Sequence, residues 1–278
     1  MKKYKAYITL KEYLDDTENF LEVKELENNI ILGNCYKLGE NSIVKPEYHF
    51  SNCFNNDLIK ISSMIFNSRT ILSCNLISRS YTEYIADNLL KNSLFINGVM
   101  GLTGSAEIFS ERICKGKIFT RNLILYKLTK VNELKYPEGN FLKAEIKDSG
   151  IISNMIYDFV NETNTLRGKS KEDISAETNI LIQSNSIFKW VCKDKIVCIS
   201  TFMRKTKNFG IIGLVFTPPE YRGKGFASGC VQKHSEYILR SGFRGSGLYT
   251  DKLNTVSNKI YKKIGYRKIS EFTDMKFL

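Results

Sequence analysis

Proline is scarce in this chain of 278 residues: there are 4, and two of them, Pro218 and Pro219, are adjacent. Histidine is scarcer, with only His49 and His234. The 7 cysteines, at positions 35, 53, 74, 114, 192, 198 and 230, include no CxxC pair. That excludes the usual zinc spacings, and no cysteine has a matching histidine that would suggest a nucleophile. An odd number of thiols without secretory context is expected to stay reduced. No apolar run approaches the roughly 20 residues of a membrane span. The N-terminal "MKKYKAYITLKEYLDD" lacks the apolar core of a signal peptide. The expectation is a soluble, cytoplasmic protein with no metal and no membrane partner.

What is present fits a globular chain. Hydrophobic residues make up 42% and aromatics 12%, enough for a sizeable core in one large domain or two ordinary ones. The net charge is +12. From Lys207 to Leu278 there are 13 Lys or Arg against 5 Asp or Glu, an excess of 8 in the last quarter. Such a field favours anionic partners without choosing among nucleic acid, acidic lipid and a phosphorylated small molecule.

Hydrophobic periodicity predicts a helix from Thr9 to about Val23 and a second over Lys24–Leu38. The runs "YHFSNCF", "LIKISSMIF" and "RTILSCN" then read as strands, with a hairpin at "NND". Helices follow over "SRSYTEYIADNLLKNS" and "GSAEIFSERICKGK", then strand "TRNLILYKLTKV". The polar "NELKYPEGN" (Asn132–Asn140) is the best boundary, giving domains 1–135 and 136–278. The second part opens on strand "FLKAEI" and two helices. Three strands, "SIFKWVC", "IVCISTFMR" and "FGIIGLVFT", come next. A helix over 225–240, strand "GSGLYTD", a helix over 254–264 and a last strand complete it. The class is α+β, a mostly antiparallel sheet flanked by helices.

The most informative stretch is "VFTPPEYRGKGFAS", Val215–Ser228. Pro218 and Pro219 cannot donate ladder hydrogen bonds, so the strand must end near Thr217. Between that stop and the next helix lie Arg222, Gly223, Lys224 and Gly225. Glycines let successive N–H groups point into one concavity, and a helix start adds unpaired N–H groups and a positive dipole end. These parts suit a diphosphate. A glycine-rich turn with solvated charges is the competing reading, and the pattern is neither a Walker A loop nor GxGxxG.

Arg222-x-x-Gly225-x-Ala227 resembles the Q/R-x-x-G-x-G/A motif of the GNAT superfamily, the GCN5-related N-acetyltransferases. Downstream, "LYTDKLNTVSNKIYKKIGYRKISEF" is similar to the superfamily's last strand–helix–strand segment. The motifs together span about Phe209–Phe277. The resemblance implies that acetyl-CoA is the co-substrate. Val215, Phe216 and Thr217 would pair with pantetheine, and Arg222, Gly223, Lys224, Gly225, Phe226 and Ala227 would hold the diphosphate. It also implies that Asn254 and Asn258 contact the cofactor and that Tyr261 protonates the departing thiolate. At 100° per residue, Asn254, Asn258 and Tyr261 share one face, opposite Val256, Ile260 and Ile264. This places Tyr261 off the apolar stripe; a core tyrosine and an N-capping Asn254 are the plainer readings.

The resemblance also has gaps. Some members carry a glutamate five residues before the position of Asn254; here that residue is Tyr249. Asp251 and Glu220 are only weak candidates for a general base, and both read more naturally as solvated or capping carboxylates. His234 falls on an apolar arc with Phe226 and Cys230 and reads as packed. The organisation resembles bacterial acetyltransferases with two GNAT-like halves. "RTILSCN" followed by a helix looks like a degenerate copy of the later strand–loop–helix, but "LISRS" has no glycine to build a nest of amides. The first half is therefore expected to bind no cofactor. The leading function is acetyl transfer from acetyl-CoA to a primary amine. A basic nucleic-acid-binding protein and a CoA-binding sensor without turnover are the alternatives. No helix-turn-helix, zinc or RNA-binding signature supports nucleic acid as the partner.

Overall fold

The structure is a computed structural model that describes residues 1–39, 47–163 and 169–278. In chain order it contains β1 (Lys2–Tyr7), α1 (Leu10–Glu22), α2 (Asn29–Leu38), β2 (Tyr48–Asn55), β3 (Leu58–Phe66), β4 (Arg69–Leu72), α3 (Arg79–Lys91), β5 (Gly98–Leu102), α4 (Thr103–Ile113) and β6 (Ile118–Leu128). There follow β7 (Asn140–Lys143), α5 (Ser149–Thr163), α6 (Lys171–Gln183), β8 (Ile187–Cys192), β9 (Lys195–Lys205), β10 (Phe209–Phe216), α7 (Phe226–Arg240), β11 (Gly245–Asp251), α8 (Thr255–Ile264) and β12 (Arg267–Phe277). This is the expected mixture of helices and mostly antiparallel strands. β1 and β5 are additions that the periodicity did not predict. The second helix is shorter than expected, starting at Asn29.

The chain divides into two compact units. Unit 1 comprises residues 1–126, 250–255 and 268–278; unit 2 comprises residues 127–249 and 256–267. In unit 1 the strand order is β1-β2-β3-β4-β5-β12-β6. β4 and β5 run parallel, and the other registered pairs are antiparallel. On one face α3 and α4 bury Ile85, Leu89, Ala106 and Phe109 against Leu72, Val99 and Met275. Thr9 caps α1, its Oγ1 accepting from Glu12 N at 3.3 Å, as the sequence predicts.

In unit 2 the order is β11-β10-β9-β8-β7, again with one parallel pair, β10 and β11. The helices α5 and α6 pack Ile152, Met155, Ile156, Ile174 and Ile182 on Ile187, Ile199 and Phe216. Ser170 caps α6 in a capping box with Asp173. α7 lies on the other side of β8 and β9, with Cys230, Val231 and His234 fully buried. Each unit thus carries one strand–helix–strand crossover, β4-α3-β5 and β10-α7-β11, which a parallel pair requires.

Candidate functional site

The site begins with the way β10 ends. Its parallel register with β11 runs from Phe209 opposite Gly245 to Ile212 opposite Leu248. On the other edge, the register with β9 shifts between Gly213 and Phe216. Leu214 sits inside that shift at φ +44°, a conformation that L residues rarely adopt. The bulge turns the end of the strand and leaves Gly213–Phe216 beyond the last registered pair with β11. Backbone groups there are positioned to meet an extended ligand as a further strand would. Val215 is half-buried among Trp190, Val197 and Phe226, while Phe216 is buried on the α5 side. The side chain of Thr217 is buried, and its Oγ1 has no hydrogen-bond partner.

Pro218 and Pro219 stop the strand, and a short 3-10 turn covers Pro219–Tyr221. Gly223 and Gly225 then take φ +77° and +82°. Gly225 is the N-cap residue of α7 in the left-handed conformation, and no side chain caps that helix. The first amides of α7 therefore point into the turn built by the two glycines. Phe226 anchors this first turn in the core beside Trp190, Cys198 and Cys230, with Ala227 against the same cluster.

The two cations of the loop are tied down. Arg222 Nε donates to Thr217 O at 2.9 Å. A second guanidinium nitrogen donates to Glu162 Oε2 on α5 at 2.6 Å. The guanidinium also lies 5.7 Å from the Phe216 ring centroid. Arg222 thus clips the loop to the strand end and to α5. Lys224 Nζ reaches Glu220 O at 3.3 Å.

Helix α8 differs from the expected pattern. Its buried face is Asn258, Tyr261 and Ile264, and Val256 is 68% exposed. Tyr261 therefore lies on the packed face with Ile264, and the apolar stripe drawn from Val256 and Ile260 is corrected. Val256 sits exposed in the first turn of α8, so its apolarity misassigns the face. Burial pushes the Tyr261 phenol well above its ordinary pKa, which keeps it protonated. Its ring meets Tyr266 edge-on at 6.1 Å. The Tyr266 hydroxyl shares hydrogen bonds of 2.8 Å with Ser235 on α7 and Ser246 on β11. Asn254 is exposed and precedes α8, its N–H donating to Asp251 O at 3.0 Å. Asp251 accepts from Leu253 N at 2.8 Å as a turn carboxylate, and Glu220 is exposed.

His234 is packed, as expected. Its Nδ1 is 2.9 Å from Ser200 Oγ, its Nε2 is buried without a partner, and burial pulls its pKa down to about 3. Cys230 Sγ donates to the same serine at 3.3 Å. His49 bonds through Nε2 to Tyr4 OH at 2.9 Å. Among the described residues no group of three or more His, Cys, Asp or Glu could hold a metal ion, and no helix is long and apolar enough to cross a membrane. Sequence reading missed the bulge at Leu214, the Glu162 partner of Arg222 and the Tyr266 hydroxyl pair. A leucine at positive φ has no local signal, and the other two are long-range contacts.

Residues 196–274 match the family model of the FR47-like proteins. A GNAT-family acetyltransferase from Colwellia psychrerythraea aligns with TM-score 0.60 at 12% identity, covering 99% of this chain and 100% of its own. The chain has the fold of the GNAT superfamily. A GCN5-related N-acetyltransferase from Sphaerobacter thermophilus aligns with TM-score 0.64 at 14% identity, covering 98% of this chain and 95% of that one. A tandem GNAT protein from the clavulanic acid biosynthesis pathway aligns with TM-score 0.57 at 9% identity, covering 99% and 98%. These structural alignments show the GNAT fold, including its tandem form, and leave the chemistry to the site. No curated protein sequence matches this chain significantly.

Proposed function

We propose that unit 2 is an N-acetyltransferase that moves the acetyl group of acetyl-CoA to a primary amine by direct attack. The observation that carries this reading is the continuous path from the bulge at Leu214 to the glycine turn at Gly223–Gly225 and the uncapped start of α7. Val215, Phe216 and Thr217 hold pantetheine through the open strand edge, and the buried Thr217 hydroxyl is available to the same ligand. The amides of Gly223, Lys224, Gly225, Phe226 and Ala227 receive the diphosphate. Arg222 holds the loop in shape from the side, and Asn258 on α8 is assigned a contact with the cofactor.

The amine nitrogen forms a bond to the thioester carbon, and the tetrahedral oxyanion is held by a fixed strand N–H. The C–S bond then breaks, the thiolate takes a proton from Tyr261, and the proton lost by the amine nitrogen, relayed through water, restores the Tyr261 phenol. A free phenol titrates near 10 and a thiol near 8.5. Burial raises the phenol, and it also raises a thiolate formed beside it, so close placement still allows the transfer. The deciding experiment mixes acetyl-CoA with a panel of amines, amino acids and aminoglycosides and follows release of free CoA. Release that depends on the amine supports the reading. Tight CoA binding with no turnover on any acceptor would favour a sensor. Binding of generic duplex or RNA that falls steeply with salt would favour the nucleic-acid reading.

Unit 1 is proposed to bind no acetyl-CoA. The loop after β4 uses its amides internally: Ser73 N donates to Ser62 O and Cys74 N to Asn28 Oδ1, both at 2.8 Å.

A further inference from the structure

Unit 1 carries an unbalanced charge cluster on the sheet face opposite α3 and α4. Val99 and Met275 face those helices, so their neighbours along each strand face away. The register places Arg69, Gly98 and Lys276 in one cross-strand row on that second face, with Ile71, Met100 and Asp274 in the next. Arg69 crosses diagonally over Gly98 to bond Asp274 Oδ1. Gly98 has no side chain in its way, and a Cβ there would stand 2.5 Å from Met275 O. From β6, Arg121 donates to Asp274 Oδ2 at 3.1 Å.

Two guanidiniums therefore share one carboxylate, each through a single nitrogen. Arg121 Nε is buried with no partner at all, a condition that natural structures rarely leave unmet. Burial and the neighbouring Arg121 cation pull Arg69 down to about 10. Asp251 acts on Arg121 from one side but is already held by Leu253 N. With exposed Lys276 in the same row, three cations stand against two carboxylates. The Arg69 side chain is 38% exposed, so solutes can reach it.

We propose that this cluster, in which Arg69, Arg121 and Lys276 stand around Gly98, binds an oxyanion: the phosphate or carboxylate group of a small molecule. An anion there supplies the acceptor that Arg121 Nε lacks and completes the forks of both guanidiniums. The site lies wholly in unit 1 and is independent of the acetyl-transfer reading for unit 2.

The test is isothermal titration of the full chain with inorganic phosphate and, separately, with acetate, at an ionic strength fixed with chloride. Wild type, Arg121→Gln, Asp274→Asn and Lys276→Gln are compared. Removing a charged donor should weaken the saturable site about tenfold or more in R121Q. D274N, which deletes the competing carboxylate, should tighten it, and K276Q should weaken it several-fold. Any phosphate taken up by the glycine turn in unit 2 is common to all four proteins and cancels in the comparison. The larger response, to phosphate or to acetate, identifies which group the natural ligand carries. K276Q alters only an exposed side chain and keeps the test valid if R121Q fails to fold. Identical isotherms in wild type, K276Q and D274N for both anions would overturn the proposal.

Discussion

The passage from β4 to α3 in unit 1 and the passage from β10 to α7 in unit 2 have the same topology and treat their backbone amides in opposite ways. Each leaves a strand that has a parallel neighbour, turns, and enters a helix. After β4, Ser73 and Cys74 bury their N–H groups against Ser62 and Asn28. Asn75 then ties the loop further, accepting from Asn28 Nδ2 at 2.8 Å and donating to Phe20 O at 2.5 Å. After β10, the chain bulges at Leu214, stops at two prolines and turns through two glycines at positive φ. The side chains there hold the loop from its rim: Arg222 bonds Thr217 O and Glu162, and Lys224 bonds Glu220 O. One crossover satisfies itself, and the other presents its donors. The difference follows from residue type, because an asparagine clasp needs side-chain amides and a nest needs residues without Cβ.

The sharpest way to break this comparison is at Gly225. Gly225→Val forces a β-branched residue into the left-handed conformation. It should lower acetyl-CoA affinity by roughly 10- to 100-fold by isothermal titration. The matching change on the other side, Leu76→Ala in an exposed position of the unit 1 loop, should leave that affinity alone. Equal losses from both substitutions would show that the amide nest does not hold the donor.

Tyr261→Phe tests the chemistry beyond the loop. It should lower kcat by about 10²- to 10⁴-fold, with acetyl-CoA affinity nearly unchanged. A measurement of kcat and Kd on the same preparation separates the proton donor from a packing residue. Loss of affinity in step with kcat would make Tyr261 part of the core that supports Tyr266 and α7.

Asn28→Ala opens the unit 1 clasp. It strands Cys74 N and takes the donor from Asn75 Oδ1, and should cost about 1–3 kcal/mol in urea unfolding. It should create no acetyl-CoA site, because no glycine turn lies beneath the clasp. A second molecule of acetyl-CoA bound per chain in this variant would turn unit 1 from a divergent copy into an obstructed one.

How much of this was legible in the sequence depends on whether the signal is local. The proline stop, the glycine turn and the helix start at Phe226 are written in consecutive residues, and the structure places them within one residue of expectation. The Thr9 cap is local in the same sense. The face of α8 was misread because Val256, an apolar residue in a first turn, outweighed Asn258, a polar residue that the fold buries. β12 pairing with β5, Phe272 opposite Leu102, joins residues far apart in sequence, and periodicity carries no record of such partners. The Arg69–Asp274–Arg121 cluster was invisible for the same reason, since its three members come from three strands.

The smallest effect concerns the floor under the glycine turn, where α7 rests on β9 through Ser200 and His234. His234 titrates at about 3 in the folded protein because burial disfavours its charged form, against about 6.5 in an unfolded chain. The unfolded state therefore binds the proton first as pH falls. Stability from neutral His234 is complete above about pH 7 and is lost progressively from about 6.5 toward 3. Between pH 7.5 and 5.5 this one residue should remove about 1.4 kcal/mol. His234→Phe fills the aromatic surroundings formed by Phe188, Phe202 and Tyr237 and should flatten that part of the pH profile. His49, whose pKa burial also lowers, stays in both proteins, so the difference between their urea midpoints isolates His234. Parallel profiles would mean that protons reach His234 without unfolding and that the floor of the turn is looser than its packing indicates.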